Sequence, residues 1–302
     1  MITYRRGHLG DVLDLLALYE AAFHKPFSSE WWRWWSEECP RGKNRLTVAE
    51  DAGRLVGAYS LLPMDVWVGG EHVKAALCTN VCVHPDYQGR GIFTGLGQHA
   101  LSVDHGTRLF VGMPNRNALP GHLRVGWREF VPLSFFVKTD CQMQPRRSIE
   151  VPAFDGRVDA LMEKRKGIFS FLPWADAAWL EWRLRRTGAS YTRFVIEQGT
   201  GIGGYMVTKV YEKDSVRVAH VVDLQAISWG ATEDLVFEAE SFAAREGCRE
   251  LTLWTNPRDP YAIAFEQRGF QRRESFDRVI LHGPLEIPEG PVSFNLFAND
   301  VV

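Results

Sequence analysis

Gln88-Gly89-Arg90-Gly91-Ile92-Phe93 is the stretch of this chain whose residue types and spacing point most directly to chemistry. It lies between a strand-like run, Cys78-Thr79-Asn80-Val81-Cys82-Val83, and a helix-like run over residues 92–103. Paired glycines at such a turn let the backbone curl so that several N–H groups converge on one point. The start of the following helix adds the positive end of its dipole there. A turn of this kind holds a phosphate or pyrophosphate. A dinucleotide fingerprint is one reading, since Gly89-x-Gly91 continues to Gly95. That fingerprint wants its first glycine directly after the strand and an acidic residue about 20 positions on. Here His84-Pro85-Asp86-Tyr87 intervenes, and Leu109-Phe110-Val111 offers no carboxylate.

Other reactive side chains cluster nearby. Strand alternation places Cys78, Asn80, Cys82 and His84 on one face, with Leu77, Thr79, Val81 and Val83 on the other. Two cysteines and a histidine suggest zinc, but four strand residues span about 13 Å, too far for two thiolates to share a metal at bonds of about 2.3 Å. No metal site is expected, and the thiols read as small buried groups. Asn115 and Asn117 follow the next strand and suit either a turn or a ligand contact. Arg90 and Arg124 are candidate partners for a further phosphate. Trp31, Trp32, Trp34 and Trp35 share a short helix, and Trp179 and Trp182 repeat part of the pattern, which assigns Trp31 and Trp34 to packing and leaves Trp32 and Trp35 for a functional role.

The elements that must position these residues follow from periodicity. Apolar residues at Val12, Leu15, Leu16, Tyr19 and Phe23 make a helical stripe over residues 11–23. Residues 29–37 form a second helix with Ser29 as its N-cap. Strands are expected over 45–50, 55–63, 65–68 and 72–83, with Gly69-Gly70 as a tight hairpin turn. The glycine turn and its helix come next, then a strand at 108–113, a short helix at 117–125 and a strand or strand pair at 129–138. An internal repeat follows at an offset of about 148 residues: Trp31-Trp32-Arg33-Trp34 matches Trp179-Leu180-Glu181-Trp182, and Asn115 to Trp127 matches Asn256 to Phe270. The second copy has its central strand at 216–226 and its helix at 233–246. Between them, Ile227-Ser228-Trp229-Gly230-Ala231 carries no paired glycines.

Val83-His84-Pro85-Asp86-Tyr87-Gln88-Gly89-Arg90-Gly91-Ile92 closely resembles motif A of the GNAT (Gcn5-related) acyltransferases, strongly over residues 40–130 and more weakly over 175–280. Gln88, Gly91 and Phe93 fall at the motif's Gln, Gly and Gly/Ala positions, and Phe93 departs from the last. The resemblance implies an α/β fold with a mixed sheet, in two tandem GNAT-like domains. Residues 1–140 would form the acyl-CoA-binding domain, 141–157 a linker, and 158–302 a degenerate copy without the pyrophosphate turn. The tail from residue 284 is expected to cross back over the surface. The resemblance also implies acetyl-CoA or another acyl-CoA as co-substrate, with its pyrophosphate at Gln88, Gly89, Arg90, Gly91, Ile92 and Phe93. Its pantetheine arm would meet the backbone of Val81, Cys82 and Val83, with Asn115 and Asn117 contributing.

Acyl transfer to an amine requires loss of an amine proton, stabilisation of an oxyanion and protonation of a thiolate. A family Tyr often supplies the acid four residues before a Gly-aromatic pair. Here the pair is Gly126-Trp127 and the position holds His122. The base is open among Asn80, His84 and Asp223, with His220 beside the last. A substrate amine arriving neutral would need none. The acceptor is expected to be a small-molecule primary amine, an amino sugar among the candidates, attacking the thioester directly. Two rivals stay open: a non-catalytic acyl-CoA sensor, and a nicotinamide-dependent oxidoreductase.

Bulk properties are those of an ordinary soluble globular protein. The chain has 302 residues, 45% hydrophobic and 24% charged, with net charge −2. That charge argues against nucleic acid as a partner, and no run reaches the roughly 20 apolar residues of a membrane helix. The N-terminus shows no apolar signal core, and five scattered cysteines suit a reducing compartment, so a cytoplasmic location is expected. The sequence does not fix an oligomeric state.

Overall fold

The computed structural model describes residues 1–294, in which alternating helices and strands resolve into two mixed sheets. The first half runs β1 (Thr3–Arg6), α1 (Val12–Phe23), α2 (Ser29–Glu37), β2 (Arg45–Asp51), β3 (Arg54–Val68), β4 (Glu71–Val83), α3 (Ile92–Ser102), β5 (Leu109–Gly112), α4 (Leu119–Arg124), β6 (Arg128–Pro132) and β7 (Ser134–Lys138). The second half runs β8 (Ile149–Val151), α5 (Gly156–Arg165), β9 (Phe171–Pro173), α6 (Ala177–Leu184), β10 (Thr192–Gln198), β11 (Gly201–Lys213), β12 (Val216–Ala226), α7 (Trp229–Arg245), β13 (Glu250–Thr255), α8 (Ile263–Gln267), β14 (Gln271–Arg273) and β15 (Arg278–His282).

The first sheet is ordered β1-β2-β3-β4-β5-β15-β6, and the second, read from its matching edge, β8-β10-β11-β12-β13-β7-β14. The two orders correspond position by position, with β15 and β7 interchanged. In each, the central pair, β4 with β5 or β12 with β13, is parallel. The fold is therefore a mixed α/β architecture in two similar sheets. Two compact units result, and neither is contiguous: Met1–Val66, His72–Phe130 and Asp277–Glu286 form one, and Trp67–Glu71, Val131–Phe276 and residues 287–294 the other. The contiguous blocks read from sequence miss this. Adjacent strand-like runs cannot reveal that β7 pairs with β13 and β15 with β5.

In the first unit, α1 and α2 cover one sheet face, packing Leu15, Leu18, Tyr19 and Trp32 on Leu46, Val48, Ala58 and Cys82. The other face carries α3, where Ile92 and Leu96 approach Gly57 so closely that a β-carbon there would lie 2.8 Å from Leu96. In the second unit, α7 and α8 cover Phe194, Met206, Ala219 and Leu251.

Several sequence expectations change. β3 is one strand through Pro63, because its ladder with β2 ends at Leu61 and the missing N–H falls beyond it. The N-cap of α2 is Ser28, whose hydroxyl accepts from the Trp31 N–H, and not Ser29. α7 starts at Trp229 rather than 233, since the Ser228 hydroxyl caps it by accepting from the Ala231 N–H at 3.2 Å. The expected linker contains β8, paired with β10, and the start of α5. The tail is not superficial: Val292 and Phe294 are 0% and 2% exposed. Residues 295–302 of that tail lie outside the described residues.

Candidate functional site

The ladder between β4 and β5 runs from Ala75–Leu109 to Cys78–Gly112 and stops there. Two residues later, Asn80 has φ +48°, a left-handed conformation inside a strand. A non-glycine residue with that φ marks a bulge. The bulge turns the last residues of β4 away from β5 and leaves their edge unpaired with that strand. It also reverses the side-chain alternation. Cys78 lies beside Tyr59, which faces Phe93 and His122. Cys82 instead packs under α1. The expectation that both thiols share a face is thus wrong, and the cause is the positive φ at Asn80. Burial pushes each thiol up to about 12, so both stay protonated at neutral pH. Asn80 and Val81 are half-buried, and Cys82 and Val83 are buried, along this parted edge.

The chain then passes through a single 3-10 turn at Pro85–Tyr87 and enters the glycine turn. Gly89 and Gly91 have φ +75° and +76°, and a β-carbon at either would meet nothing within 4 Å. The cradle is open and made of backbone. Gly91 is the N-cap of α3 and supplies no side-chain cap. The first N–H groups of a helix have no intrahelical partner, so those of Ile92 and Phe93 remain for an anion. Gln88 ties the turn to the strand by donating from Nε2 to the Val83 carbonyl at 3.4 Å. Arg90 donates to the Asp86 carbonyl and lies 4.7 Å from the Tyr87 ring centre. These residues fit a pyrophosphate bound through main-chain N–H groups.

Phe93, the departure from the motif, does not fill the cradle. Its ring lies 5.0 Å from His122 and against Gly121, where a β-carbon would come within 2.6 Å of it. A glycine in α4 thus accommodates the bulky residue in α3. No pairwise pattern in a single sequence exposes that compensation.

Asn115 is exposed and its Oδ1 accepts from the N–H groups of Asn117 and Ala118 at 3.1 and 2.9 Å. That turn uses one end of the amide and leaves Nδ2 outside it. Asn117 is exposed, two residues before α4.

His122 is buried, 4% exposed, among Tyr59, Phe93 and Trp127. Its Nδ1 lies 3.4 Å from the Tyr59 hydroxyl. Burial lowers its pKa to about 4, so the ring is neutral at pH 7. His84 is tied down: Arg54 meets its Nε2 at 2.9 Å and the Asp86 N–H meets its Nδ1 at 3.3 Å. Asp223 belongs to the second unit. It is buried there, accepting from the Tyr205 hydroxyl and Gln225 Nε2, both at 2.7 Å. The first unit holds Asn80, His122 and the glycine turn, with His122 packed on Phe93 of that turn, while Asp223 belongs to the second unit and its own hydrogen-bond network. Tyr59 was missed from sequence because a Tyr in an apolar strand reads as core. Of the tryptophans, Trp32 and Trp35 are 8% and 4% exposed, so they are packing residues, and Trp31 is the partly exposed member, stacked with Trp35.

A parallel strand pair whose ladder ends before the left-handed Asn80 thus leads into the uncapped start of α3. Residues 3–129 match the family model described as the acetyltransferase (GNAT) domain. Solved structures agree on the fold. A GCN5-related N-acetyltransferase from Anabaena variabilis is 16% identical, with TM-score 0.71 over 93% of this chain and 72% of that one. Another, from Kribbella flavida, is 18% identical, with TM-score 0.65 over 93% and 70%. A chain from Pyrococcus horikoshii is 17% identical, with TM-score 0.65 over 98% and 95%. Comparison with curated protein sequences gave no match. Among the described residues, no helix is long and apolar enough to cross a membrane.

Proposed function

We propose that this chain is an N-acyltransferase that takes an acetyl or short acyl group from acyl-CoA and delivers it to a small primary amine, an amino sugar among the candidates. The observation that carries this reading is the open Gly89–Gly91 cradle at the uncapped start of α3, next to the parted end of β4. Acyl-CoA supplies the activated thioester. The chain's own residues bind and orient it: backbone N–H groups of residues 89–93 toward the pyrophosphate, main-chain groups of Val81, Cys82 and Val83 along the parted strand, and Asn115 and Asn117 at its far side. Direct attack by the amine accords with the chemistry of the thiols. Cys78 and Cys82, pushed up to about 12, offer no thiolate for a covalent step. His122 Nε2, with Nδ1 turned to Tyr59, is the proton-bearing or hydrogen-bonding group proposed for the leaving thiol. The second unit is on this reading a degenerate GNAT-like copy: β12 is followed by the capped start of α7 and no glycine turn.

The test is thiol release from acetyl-CoA across a panel of amines that includes nucleotide-linked amino sugars, with calorimetric titration of acetyl-CoA and NADPH alongside. Saturable NADPH binding without acetyl-CoA binding overturns the reading. A second reading, an acyl-CoA sensor, is favoured by one observation: the buried neutral His122 and the tethered His84 leave few groups for proton transfer. Binding without turnover of any amine selects it.

A further inference from the structure

The second unit repeats the geometry of the parted strands but fills it. The β12–β13 ladder ends at Val221–Leu253, as that of β4 and β5 ends at Cys78–Gly112. A register shift between Val207 and Thr208 places a bulge in β12 just beyond that point. Three residues past each final pair stands an asparagine, Asn115 in one unit and Asn256 in the other. Both use Oδ1 for the same local turn, Asn256 accepting from the Arg258 N–H at 3.0 Å. In the second unit the other end of the amide is engaged too. Asn256 Nδ2 donates to the carbonyls of Val292 and Phe294 at 3.0 and 3.4 Å.

Residues 288–294 run along this cleft, bent at Glu289 and Gly290 and bridged in parallel to Phe171 at Val292. Arg258 holds the carbonyls of Gly290 and Pro288. The Val292 N–H donates to the Arg258 carbonyl at 3.1 Å and the Ser293 N–H to the Phe171 carbonyl at 2.9 Å. Arg165, 2% exposed, reaches in from α5 to the Ala226 carbonyl and to Ser293 Oγ. The space left between Arg165, Asp223, Ser293 and Phe294 is about 30 Å³, the room of about one water.

We propose that the parted strands of the second unit form a cleft for an extended polypeptide, whose ligand is supplied in cis by residues 288–294. That segment, held by Asn256, Arg258 and the Phe171 carbonyl beyond the end of the β12–β13 ladder, closes the second cleft to acyl-CoA. The inference rests on the geometry of the second unit alone and survives if the acyl-transfer reading fails.

Hydrogen–deuterium exchange on the full chain tests it. Asn256→Asp puts a carboxylate against two carbonyls, and the amides of residues 288–294 are expected to exchange at least tenfold faster. Arg258→Gln, on a half-exposed residue, is the second variant in case the first does not fold. Unchanged exchange of the segment in the folded variant overturns the proposal. In the wild type, acetyl-CoA is expected to leave exchange at 254–259 and 288–294 unaltered; expulsion of the segment by acetyl-CoA overturns it. Finally, a chain cut at a protease site inserted between Glu286 and Ile287 is incubated with a fluorescein-labelled peptide of residues 287–294. Uptake of one label per chain supports a peptide cleft, and loss of the cut segment without uptake of label overturns it.

Discussion

Gly91 carries the sharpest test of the pyrophosphate cradle, because its two properties can be separated by two substitutions. Its φ is +76°, and a β-carbon there meets nothing within 4 Å. Gly91→Ala therefore adds no clash, only the cost of a left-handed L-residue, about 1–2 kcal/mol. At about 2–4 °C per kcal/mol for units of this size, the melting temperature should fall by a few degrees. Gly91→Asp adds the same strain plus a charge. A carboxylate about 8 Å from one pyrophosphate charge, in an effective dielectric of about 20, is opposed by about 2 kcal/mol. That is roughly 30-fold in affinity, and more if the carboxylate also takes the free N–H groups at the start of α3. Calorimetric titration with acetyl-CoA should show the Ala variant binding within a few-fold of the wild type and the Asp variant at least 30-fold more weakly. Equal affinity of the two variants, both folded, refutes the assignment of this turn to a phosphate.

Further outcomes follow from the neighbouring geometry. The His122 pKa, about 4 when folded against about 6.5 when free, means that the unfolded chain gains a proton first as pH falls. Stability from this site is full above pH 6.5 and is lost between 6.5 and 4, by up to about 3 kcal/mol. His122→Phe should flatten that part of a denaturation profile measured against pH, and an unchanged slope refutes the burial argument. Gly121→Ala drives a β-carbon into the Phe93 ring and should cost about 1–3 kcal/mol. In a double-mutant cycle, Phe93→Ala should relieve most of that cost, as read by thermal melting. Ser228→Ala removes the cap of α7 and should cost about 1 kcal/mol in urea denaturation while leaving acetyl-CoA affinity unchanged.

Much of the frame was legible from local pattern. The stripe of α1, the Gly69-Gly70 hairpin, β12 and the glycine turn each announce themselves within a dozen residues. The repeat was legible as well, since Asn115 and Asn256 recur in matching surroundings. What escaped was non-local or conformational. The positive φ of Asn80 is invisible in a run of strand-forming residues, yet it decides which face Cys82 takes. The pairing of Phe93 with Gly121, the tethering of His84 by Arg54 and the burial of residues 292–294 all depend on partners far away in sequence. Among the candidate site residues, the left-handed backbone of Gly89 and Gly91 was readable because glycine spacing encodes it. The proton-transfer roles were not, because burial sets the state of His122 and burial is a property of the fold.

The interchange of β7 and β15 also bears on how the chain is made. The first sheet lacks the strand between β5 and β6 until residues 278–282 have been synthesised. At about 5–20 residues per second, the roughly 150 residues that separate β6 from β15 take on the order of ten seconds to emerge. During that interval the edge of β5 stays open, and the nascent first unit cannot finish folding. A ribosome that stalls in the second half therefore leaves both sheets incomplete, so the proposed acyl-CoA cleft matures only after β15 has emerged.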